Sequence, residues 1–461
     1  MKEIAIPRLV IAGTGSGVGK TTIVAGLLAA LSSRGLRAQS YKIGPDYIDP
    51  GYHRLASGRP AHNLDSWLVP AEKLPALFAK TAAGCDVAII EGVMGLFDGG
   101  RGGISSTAAV AKQLGAPVLL VLDARSAGES IAATALGFKL YDPELTLAGL
   151  MVNRLGSDSH RAIVAEALAR LGLPVFGYLH RDLSLGVTER HLGLTPVEES
   201  DARAAVEAMG RRLAQDADID GILRVAESAP PLTVAESPAR ARPADVSVGV
   251  AQDEAFSFYY PESLAVLEEN GARIVPFSPL RDKALPEVDG LIFGGGFPEM
   301  FLSALESNEE MKQAIRGAAG NGMPVYAECG GLMYLTRKIA AFDGREFAMV
   351  GLIPAVCRME SRLQTVGYVE ATALADTLLG PAGSRLRGHE FHFSCCEPDE
   401  PQDFPHAFRF RKTRTGSEYP GGYSRGNLLA SYLHLHFSGN ADAAACFLEK
   451  CRRFGAAGRA L

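Results

Sequence analysis

The chain has 461 residues, of which 47% are hydrophobic and 21% are charged, and its formal net charge is -6. This composition is that of an ordinary globular protein of two or three domains, and its acidic balance gives no reason to expect nucleic acid or an anionic membrane as a partner. No apolar run is long enough to cross a bilayer, and no signal-peptide pattern precedes the first strand, so we expect a cytoplasmic protein.

The first predicted element is a buried strand at residues 9–12, which leads into a glycine-rich loop at residues 13–22 and then a helix-like segment. This order predicts a phosphate-binding loop, because glycines let backbone N–H groups converge on phosphate oxygens at a helix N-terminus. Lys20 would reach the β- and γ-phosphates of ATP, and the Thr21 hydroxyl would bind Mg²⁺. The predicted ATP-binding residues of the loop are Gly15, Gly17, Val18, Gly19, Lys20, Thr21 and Thr22.

The first glycine of this loop stands one position earlier than usual, because Gly13 carries it and Thr14 occupies the customary place. The shifted form resembles the loop of dethiobiotin synthetase and its amidotransferase relatives, which implies that ATP activates a carboxylate. ATPases of the chromosome-partitioning type share the fold but carry an additional lysine five positions before the loop lysine. This chain has Gly15 at that position, which argues against a partitioning ATPase.

Acidic residues follow at the ends of further predicted strands. Asp46 and Asp49 lie in a turn that contains glycine and proline, and Glu91 directly follows the apolar run at residues 87–90. An acid at the carboxyl end of a central parallel strand faces the ligand, and carboxylates bind Mg²⁺. We therefore predict that Thr21, Asp46 and Glu91 hold the metal, with Asp49 assisting. A turn-forming role is the alternative for the two aspartates.

Continuous apolar runs at residues 9–12, 87–90, 118–122 and 148–152 alternate with helix-like segments, as buried parallel strands do. They predict an α/β domain with a doubly wound parallel sheet over residues 1–226, with ligands at the carboxyl ends of the strands. Asn153 follows the last run. Its amide suits an adenine edge, which makes it a further ATP-binding candidate, and a turn or cap role is equally consistent.

Proline, alanine and charged residues dominate residues 227–244, which predicts a linker. A second α/β series begins at Val246 and predicts a second domain over residues 245–461. Within it, Cys329 follows a predicted strand and precedes two glycines and a helix-like start. Such an elbow lifts a nucleophile clear of the sheet and places it at a helix N-terminus, where the thiolate is favoured. A strand ending in three glycines, residues 294–296, can direct N–H groups at an oxyanion.

Two histidines, His434 and His436, lie about a hundred residues after the cysteine in a predicted strand, and alternation would put them on the same side. A pair at this spacing also fits a polar strand face or part of a metal site. Together with the elbow and the glycine loop, the pattern favours Cys–His hydrolytic chemistry, with Cys329 as nucleophile and His434 as its base.

In the same order, these motifs resemble those of the cobyrinate a,c-diamide synthase family, glutamine-dependent amide ligases, over nearly the whole chain. The resemblance rests on residues 13–22, 42–50, 91–99, 327–331 and 388–392 and on the strand of His434. It implies an ATP-binding amide ligase domain like dethiobiotin synthetase, followed by a domain similar to class I glutamine amidotransferases. It also makes Lys42, Asp49 and Asp98 candidates for substrate binding or phosphoryl transfer.

The resemblance implies that Cys329 and His434 release ammonia from glutamine while the N–H groups of Gly295 and Gly330 hold the oxyanion. ATP with Mg²⁺ would phosphorylate a carboxylate, and ammonia would displace the phosphate, twice, at the a and c acetate groups of cobyrinate in cobalamin biosynthesis. Many relatives carry glutamate where this chain has His436, so we predict a dyad whose orienting group is open. The expected partners are a tetrapyrrole, glutamine and ATP, without nucleic acid or membrane; a homodimer is left open.

Three alternatives stay open. Hydrogenobyrinate or nickel sirohydrochlorin could replace cobyrinate, because the readable motifs serve only ATP and glutamine. Cobyric acid synthase has the same two modules, but usually Thr-Tyr-Leu-His-Gly around the histidine, where this chain has Ser-Tyr-Leu-His-Leu-His. A different class is a regulatory ATP-binding switch with an inactive amidotransferase domain. Gly15 and the intact Cys329 and His434 argue against that class.

Overall fold

The computed structural model describes residues 2–181, 200–235 and 242–459, and the chain divides into two compact units, Met1–Ser237 and Pro238–Leu461. The strands of the first unit are β1 (Lys2–Ile4), β2 (Arg8–Gly13), β3 (Ala38–Ile43), β4 (His62–Leu64), β5 (Val87–Glu91), β6 (Val118–Asp123), β7 (Leu147–Leu155), β8 (Val175–His180) and β9 (Leu232–Val234). Its helices are α1 (Lys20–Ser33), α2 (Ile48–Ser57), α3 (Leu74–Thr81), α4 (Thr107–Gln113), α5 (Ser130–Tyr141), α6 (Asp158–Ala169), α7 (Ser200–Asp216) and α8 (Ile219–Glu227).

Seven parallel strands form the central sheet of the first unit, in the order β4-β3-β5-β2-β6-β7-β8. Alternate residues of each strand enter separate apolar cores on the two faces; Val10 and Ile90 lie in one core, and Leu9 and Ile89 in the other. Because both faces are covered, the strands appear in the sequence as continuous apolar runs. The predicted doubly wound parallel sheet is confirmed.

Part of the segment predicted as a linker, residues 227–244, is instead ordered against the first unit. Strand β9 pairs antiparallel with β1. The buried Arg8 guanidinium donates to the carbonyl oxygens of Pro230 at 2.6 Å, Leu114 at 2.6 Å and Ile6 at 3.0 Å, and burial lowers the pKa of Arg8 to about 10. A buried cation needs such acceptors, so the arginine ties this segment to the sheet. Residues 236–241 of the predicted linker lie outside the described residues.

The second unit combines helices with many short strands. Its helices are α9 (Pro261–Glu269), α10 (Leu302–Ser307), α11 (Glu309–Gly320), α12 (Gly330–Leu335) and α13 (Ala441–Arg459). Its strands are β10 (Val246–Ala251), β11 (Ala272–Phe277), β12 (Gly290–Phe293), β13 (Val325–Glu328), β14 (Thr336–Ala340), β15 (Glu346–Ala348), β16 (Ile353–Met359), β17 (Thr365–Ala373), β18 (Arg385–His392), β19 (Ser394–Pro398), β20 (Phe408–Lys412), β21 (Glu418–Gly421), β22 (Tyr423–Arg425), β23 (Leu428–Ser431) and β24 (His434–Leu435).

A six-stranded sheet, β11-β10-β12-β13-β23-β22, forms the α/β part of this unit and is parallel apart from the edge strand β22. Two further sheets have the orders β15-β14-β16-β19 and β21-β20-β17-β18-β24. Strand β13 ends one residue before Cys329, and β24 contains His434, so the two predicted catalytic residues come from different sheets of the same unit. In the part of the chain that the structure describes, no helix is long and apolar enough to span a membrane.

Candidate active sites

The predicted phosphate-binding loop connects β2 to α1 at the carboxyl edge of the first sheet. The Lys20 side chain folds back over this loop, and its Nζ donates to the carbonyl oxygens of Gly15 at 2.9 Å and Met94 at 2.5 Å. Burial, together with the charge of Lys42, lowers the pKa of Lys20 to about 8. The ammonium is therefore held beside the loop.

The shape of this loop depends on Gly19. It has a φ of 97°, in the left-handed region, and a Cβ there would lie 2.2 Å from Asn153 Nδ2. Replacing Gly19 by Ala is expected to lower the free energy of unfolding by about 1–3 kcal/mol and to weaken ATP binding, because the loop must move away from Asn153. Chemical denaturation and nucleotide titration check this, with Gly35→Ala (also at positive φ, with open space around its Cβ) as control. Equal affinity of wild type and Gly19→Ala for ATP would contradict the prediction.

The Asn153 amide holds the same loop from β7, which is separated from β2 by β6 in the sheet. Its Nδ2 donates to the Val18 carbonyl oxygen at 2.9 Å, and its Oδ1 accepts from the backbone N–H of Arg154 at 2.9 Å. Both ends of the amide thus have backbone partners in the protein. These contacts support the structural alternative that the sequence left open, and a contact with adenine stays a prediction.

Glu91 lies at the end of β5, and its fully buried carboxylate is the centre of a cluster of charged side chains. Its Oε1 accepts from Thr21 Oγ1 at 2.8 Å and from Lys42 Nζ at 2.8 Å, and its Oε2 lies 2.6 Å from His53 Nε2. Burial alone would raise the pKa of Glu91, but Lys42 and His53 outweigh it and hold that pKa well below its ordinary value. Glu91 is therefore an ionised carboxylate that contacts the phosphate-binding loop through Thr21.

Lys42 connects Glu91 to the two predicted aspartates. Its Nζ donates to Asp49 Oδ2 and lies 3.8 Å from Asp46 Oδ2. Burial alone would lower the pKa of Lys42, but Glu91, Asp49 and Asp46 raise it above its ordinary value. Burial and the neighbouring carboxylates of Asp46 and Glu91 in turn raise the pKa of Asp49. The cluster therefore presents a buried lysine cation whose charge is balanced by the neighbouring carboxylates of Glu91, Asp49 and Asp46.

The predicted metal ligands are brought together only in part. Thr21 and Glu91 share a hydrogen bond, whereas Asp46 reaches the cluster through Lys42, and its Oδ1 accepts from the N–H groups of Ile48 and Asp49 in a turn. No group of three His, Cys, Asp or Glu side chains that could hold a metal occurs among the residues described. The role of these residues in Mg²⁺ binding stays a prediction.

Asp98 and His53 are two further residues of this site. Asp98 is exposed, and its Oδ2 accepts from the Gly95 N–H at 3.0 Å, which shapes the turn that carries the Met94 carbonyl onto Lys20. His53 was not predicted from the sequence. It lies one turn after Asp49 on α2, and that i, i+4 spacing within a helix is the signal that could have identified it.

Cys329 stands at the predicted sharp turn between β13 and α12. It has φ 44° and ψ -101°, an unusual backbone conformation, and its N–H donates to the Ser431 carbonyl oxygen at 2.7 Å. Gly331 is required beside it, because a Cβ at this position would lie 2.4 Å from the Phe293 carbonyl oxygen. The strained turn presents the thiol at the N-terminus of α12, the arrangement of a nucleophile elbow.

His434 is buried beside this thiol. Its Nδ1 lies 3.4 Å from Glu328 Oε2, and its ring packs against the His389 ring with centroids 4.9 Å apart. Burial alone would lower the pKa of His434, but Cys329, which hydrogen-bonds to it, and Glu328 raise that pKa to about 10. The His434 ring and the Cys329 thiol are therefore neighbours, and the surroundings of the ring favour its protonated form.

The glycine loop after β12 closes over the same pair. A Cβ on Gly295 would lie 2.6 Å from His434 Cε1, and a Cβ on Gly330 would lie 3.1 Å from the backbone nitrogen of Gly296. The Gly295 carbonyl oxygen accepts from the Phe258 N–H at 3.0 Å in an isolated bridge. Gly295 and Gly330 stay the predicted oxyanion donors, and Gly296 becomes a further candidate because its nitrogen is next to Gly330.

His436 does not share the surroundings of His434. Strand β24 ends at Leu435, so the alternation that would have put both histidines on one side does not continue, and this prediction is wrong. The fully buried His436 ring stacks on Tyr260, and its Nε2 lies 3.9 Å from Glu262 Oε2. His436 is therefore a buried histidine that packs this segment against α9.

The two sites define a P-loop nucleotide-binding unit followed by a Cys–His unit of the glutamine amidotransferase class. Family models agree: residues 9–192 match the CobQ/CobB/MinD/ParA nucleotide binding domain, and residues 247–442 match the CobB/CobQ-like glutamine amidotransferase domain. The chain belongs to the cobyrinate a,c-diamide synthase family, as the sequence motifs indicated.

Individual relatives align with nearly the full chain. The cobyrinate a,c-diamide synthase of Leptospira interrogans serovar copenhageni is 42% identical over 98% of this chain and 100% of the relative. The enzyme of that name from Syntrophotalea carbinolica is 43% identical over 97% of this chain and 99% of the relative. The hydrogenobyrinate a,c-diamide synthase of Streptomyces coelicolor is 43% identical over 97% of this chain and 98% of the relative.

Proposed function

We propose that this protein is a carbon–nitrogen ligase that uses ATP and glutamine to amidate the a and c acetate carboxylates of cobyrinate in cobalamin biosynthesis. The observation that carries the proposal is the near full-length similarity to cobyrinate a,c-diamide synthases, combined with an intact phosphate-binding loop and an intact Cys–His pair. Because the proposed reaction uses ATP and glutamine, we also propose a cytoplasmic location.

In the ATP-dependent half, a substrate carboxylate oxygen attacks the γ-phosphorus of ATP, the bond from that phosphorus to the bridging oxygen breaks, and ADP leaves. The loop N–H groups and Lys20 bind the phosphates, and the Lys42 cation, held by Glu91 and Asp49, stabilises the charge on the transferring group or the carboxylate. Ammonia then attacks the acyl carbon, and phosphate leaves.

Mg²⁺ fits the oxygen donors that surround this loop. The Thr21 hydroxyl and the ionised Glu91 carboxylate would hold it, with Asp46 as a third oxygen ligand, and such hard oxygen donors suit this cation. When bound, the cation neutralises phosphate charge.

In the glutamine-dependent half, the Cys329 thiolate attacks the side-chain amide carbon of glutamine. The Gly330 N–H and an N–H of the loop at residues 294–296 bind the oxyanion, and His434 gives its proton to the departing ammonia. Water then attacks the thioester carbon while His434 accepts a proton from it, and the thiolate is released with glutamate as the product.

Separate reactions with cobyrinate, hydrogenobyrinate and nickel sirohydrochlorin test the proposal, with ATP, Mg²⁺ and glutamine in each. ADP release and two successive losses of one mass unit from cobyrinate are expected, because each amidation replaces a hydroxyl by an amino group. No ADP release with any macrocycle would overturn the tetrapyrrole assignment and favour a regulatory ATP-binding switch.

Hydrogenobyrinate is the second candidate substrate, since one relative that is 43% identical is a hydrogenobyrinate a,c-diamide synthase. The same experiment separates the two, because the macrocycle with the higher kcat/KM is the substrate. A preference for hydrogenobyrinate would move the assignment to the cobalt-free ring and leave the chemistry of both halves unchanged.

A further inference from the structure

The sequence left the third member of the glutaminase site open, because His436 stands where many relatives carry glutamate. We propose that Glu328, the residue directly before the nucleophile, is the positioning residue that orients the His434 ring toward Cys329. The inference rests on the proposed glutaminase reaction. It gives the orienting role to a carboxylate that directly precedes the nucleophile in the chain, and not to one that follows the histidine.

The contact joins the Glu328 carboxylate to Nδ1 of the His434 ring. Glu328 Oε2 lies 3.4 Å from His434 Nδ1, and both side chains are buried. This separation is longer than an ideal charged hydrogen bond, but catalytic contacts commonly tighten when substrate binds. With Nδ1 beside Glu328, the other ring nitrogen, Nε2, is left to exchange a proton with the thiol, as a general base requires.

Glu328 is itself held firmly by two neutral donors. Its Oε1 accepts from the Tyr326 hydroxyl at 2.6 Å and from the Leu435 N–H at 3.2 Å. Because Oε1 is occupied, Oε2 is directed at the histidine ring. The Leu435 N–H directly follows His434 in the chain, so one carboxylate fixes both the ring and the backbone that carries it.

Other charged or titratable groups that face His434 do not offer this contact. Cys329 is the reacting thiol, and His389 packs ring against ring. Glu390 accepts from the Tyr419 hydroxyl, and His392 Nδ1 lies 2.7 Å from the Ser394 carbonyl oxygen and its ring stacks on Tyr432. Glu328 is thus the carboxylate placed to stabilise an imidazolium at His434.

The decisive experiment compares the full-length wild type with Glu328→Gln in steady-state glutamine hydrolysis, with ATP, Mg²⁺ and cobyrinate present. We expect kcat to fall about 10²-fold with little change in KM, because glutamine is still bound but the proton transfer is impaired. The alkaline limb of the pH–kcat/KM profile should move to lower pH, because the Glu328 carboxylate raises the pKa of His434 and its removal lowers that pKa.

Controls separate a positioning role from a merely structural one. Glu397→Gln makes the same change at an exposed carboxylate of the same unit and should leave kcat and the pH profile unchanged. Ammonia-dependent amidation should persist in Glu328→Gln, because it depends on the first unit, and thermal unfolding compared with wild type reports whether the second unit is folded. If Glu328→Gln misfolds, Glu328→Asp tests the positioning role instead. This variant keeps the negative charge, so the alkaline limb of its pH profile should stay near that of wild type although kcat is lower.

A fall in kcat without movement of the alkaline limb, or no fall at all, would overturn the positioning role and leave the proposed function standing. A wild-type protein that amidates with ammonia but never hydrolyses glutamine would instead overturn the glutaminase half of the proposed function, and this inference with it.

Discussion

Replacing Cys329 by Ala is expected to reduce glutamine-dependent amidation by about 10⁴-fold or more, while amidation with ammonium as the nitrogen source continues. The Cys329 sulfur is the atom that forms the covalent bond to glutamine, so the variant cannot form the thioester. The ATP-dependent half lies in the first unit and uses residues of its own. Product formation with each nitrogen source, followed by mass spectrometry, measures the effect.

Cys446→Ala is the matched control, because Cys446 is a half-buried free cysteine of the same unit, on α13. It should retain both activities. Cys329→Ala protein that still used glutamine would contradict the assignment of the nucleophile, and loss of both activities in a folded protein would show that the two halves cannot be separated in this way.

Replacing Lys20 by Met is expected to reduce ADP formation by about 10³-fold with either nitrogen source, because the variant loses a cation aimed at the transferring phosphoryl group. The Lys20 ammonium lies beside the loop, where the Gly15 and Met94 carbonyl oxygens accept from it. Methionine keeps most of the aliphatic volume while removing the charge.

Lys73→Met, which changes an exposed lysine of the first unit, is the control and should behave as wild type. ADP release, measured with saturating ammonium, isolates the ATP-dependent half from glutamine hydrolysis. If Lys20→Met kept wild-type ADP release under these conditions, the loop at residues 13–22 would not be the site of phosphoryl transfer.

Local patterns predicted much of the fold and some of each site. The strands of the first sheet are continuous apolar runs because both faces are covered, and the glycines at Gly19 and Gly331 stand where a Cβ would clash with Asn153 or with the Phe293 carbonyl oxygen. The apolar runs and the glycine-rich motifs are patterns within short stretches of the chain, so they could be recognised without knowledge of the tertiary structure. The contacts that exclude a Cβ at the two glycines come from distant residues and became visible only in the fold.

Contacts between distant segments could not be predicted in this way. Glu328 and His434 come from strands of different sheets, and nothing local to either residue indicates their pairing. The error for His436 has a similar cause, because a two-residue strand ends before the alternation reaches it. Strand β9, a three-residue strand in a segment rich in proline and alanine, is ordered by pairing with the first strand of the chain.

Transfer of the side-chain nitrogen of glutamine to the macrocycle can be measured directly with an isotope label. Wild-type protein is supplied with ATP, Mg²⁺, cobyrinate and glutamine labelled with ¹⁵N in its side-chain amide, and the macrocycle product is analysed by mass spectrometry. We expect a product that carries two ¹⁵N atoms, with one ADP formed for each amide. A product without the label, or ADP formed without any amide, would show that glutamine nitrogen is not transferred to an activated carboxylate of the macrocycle.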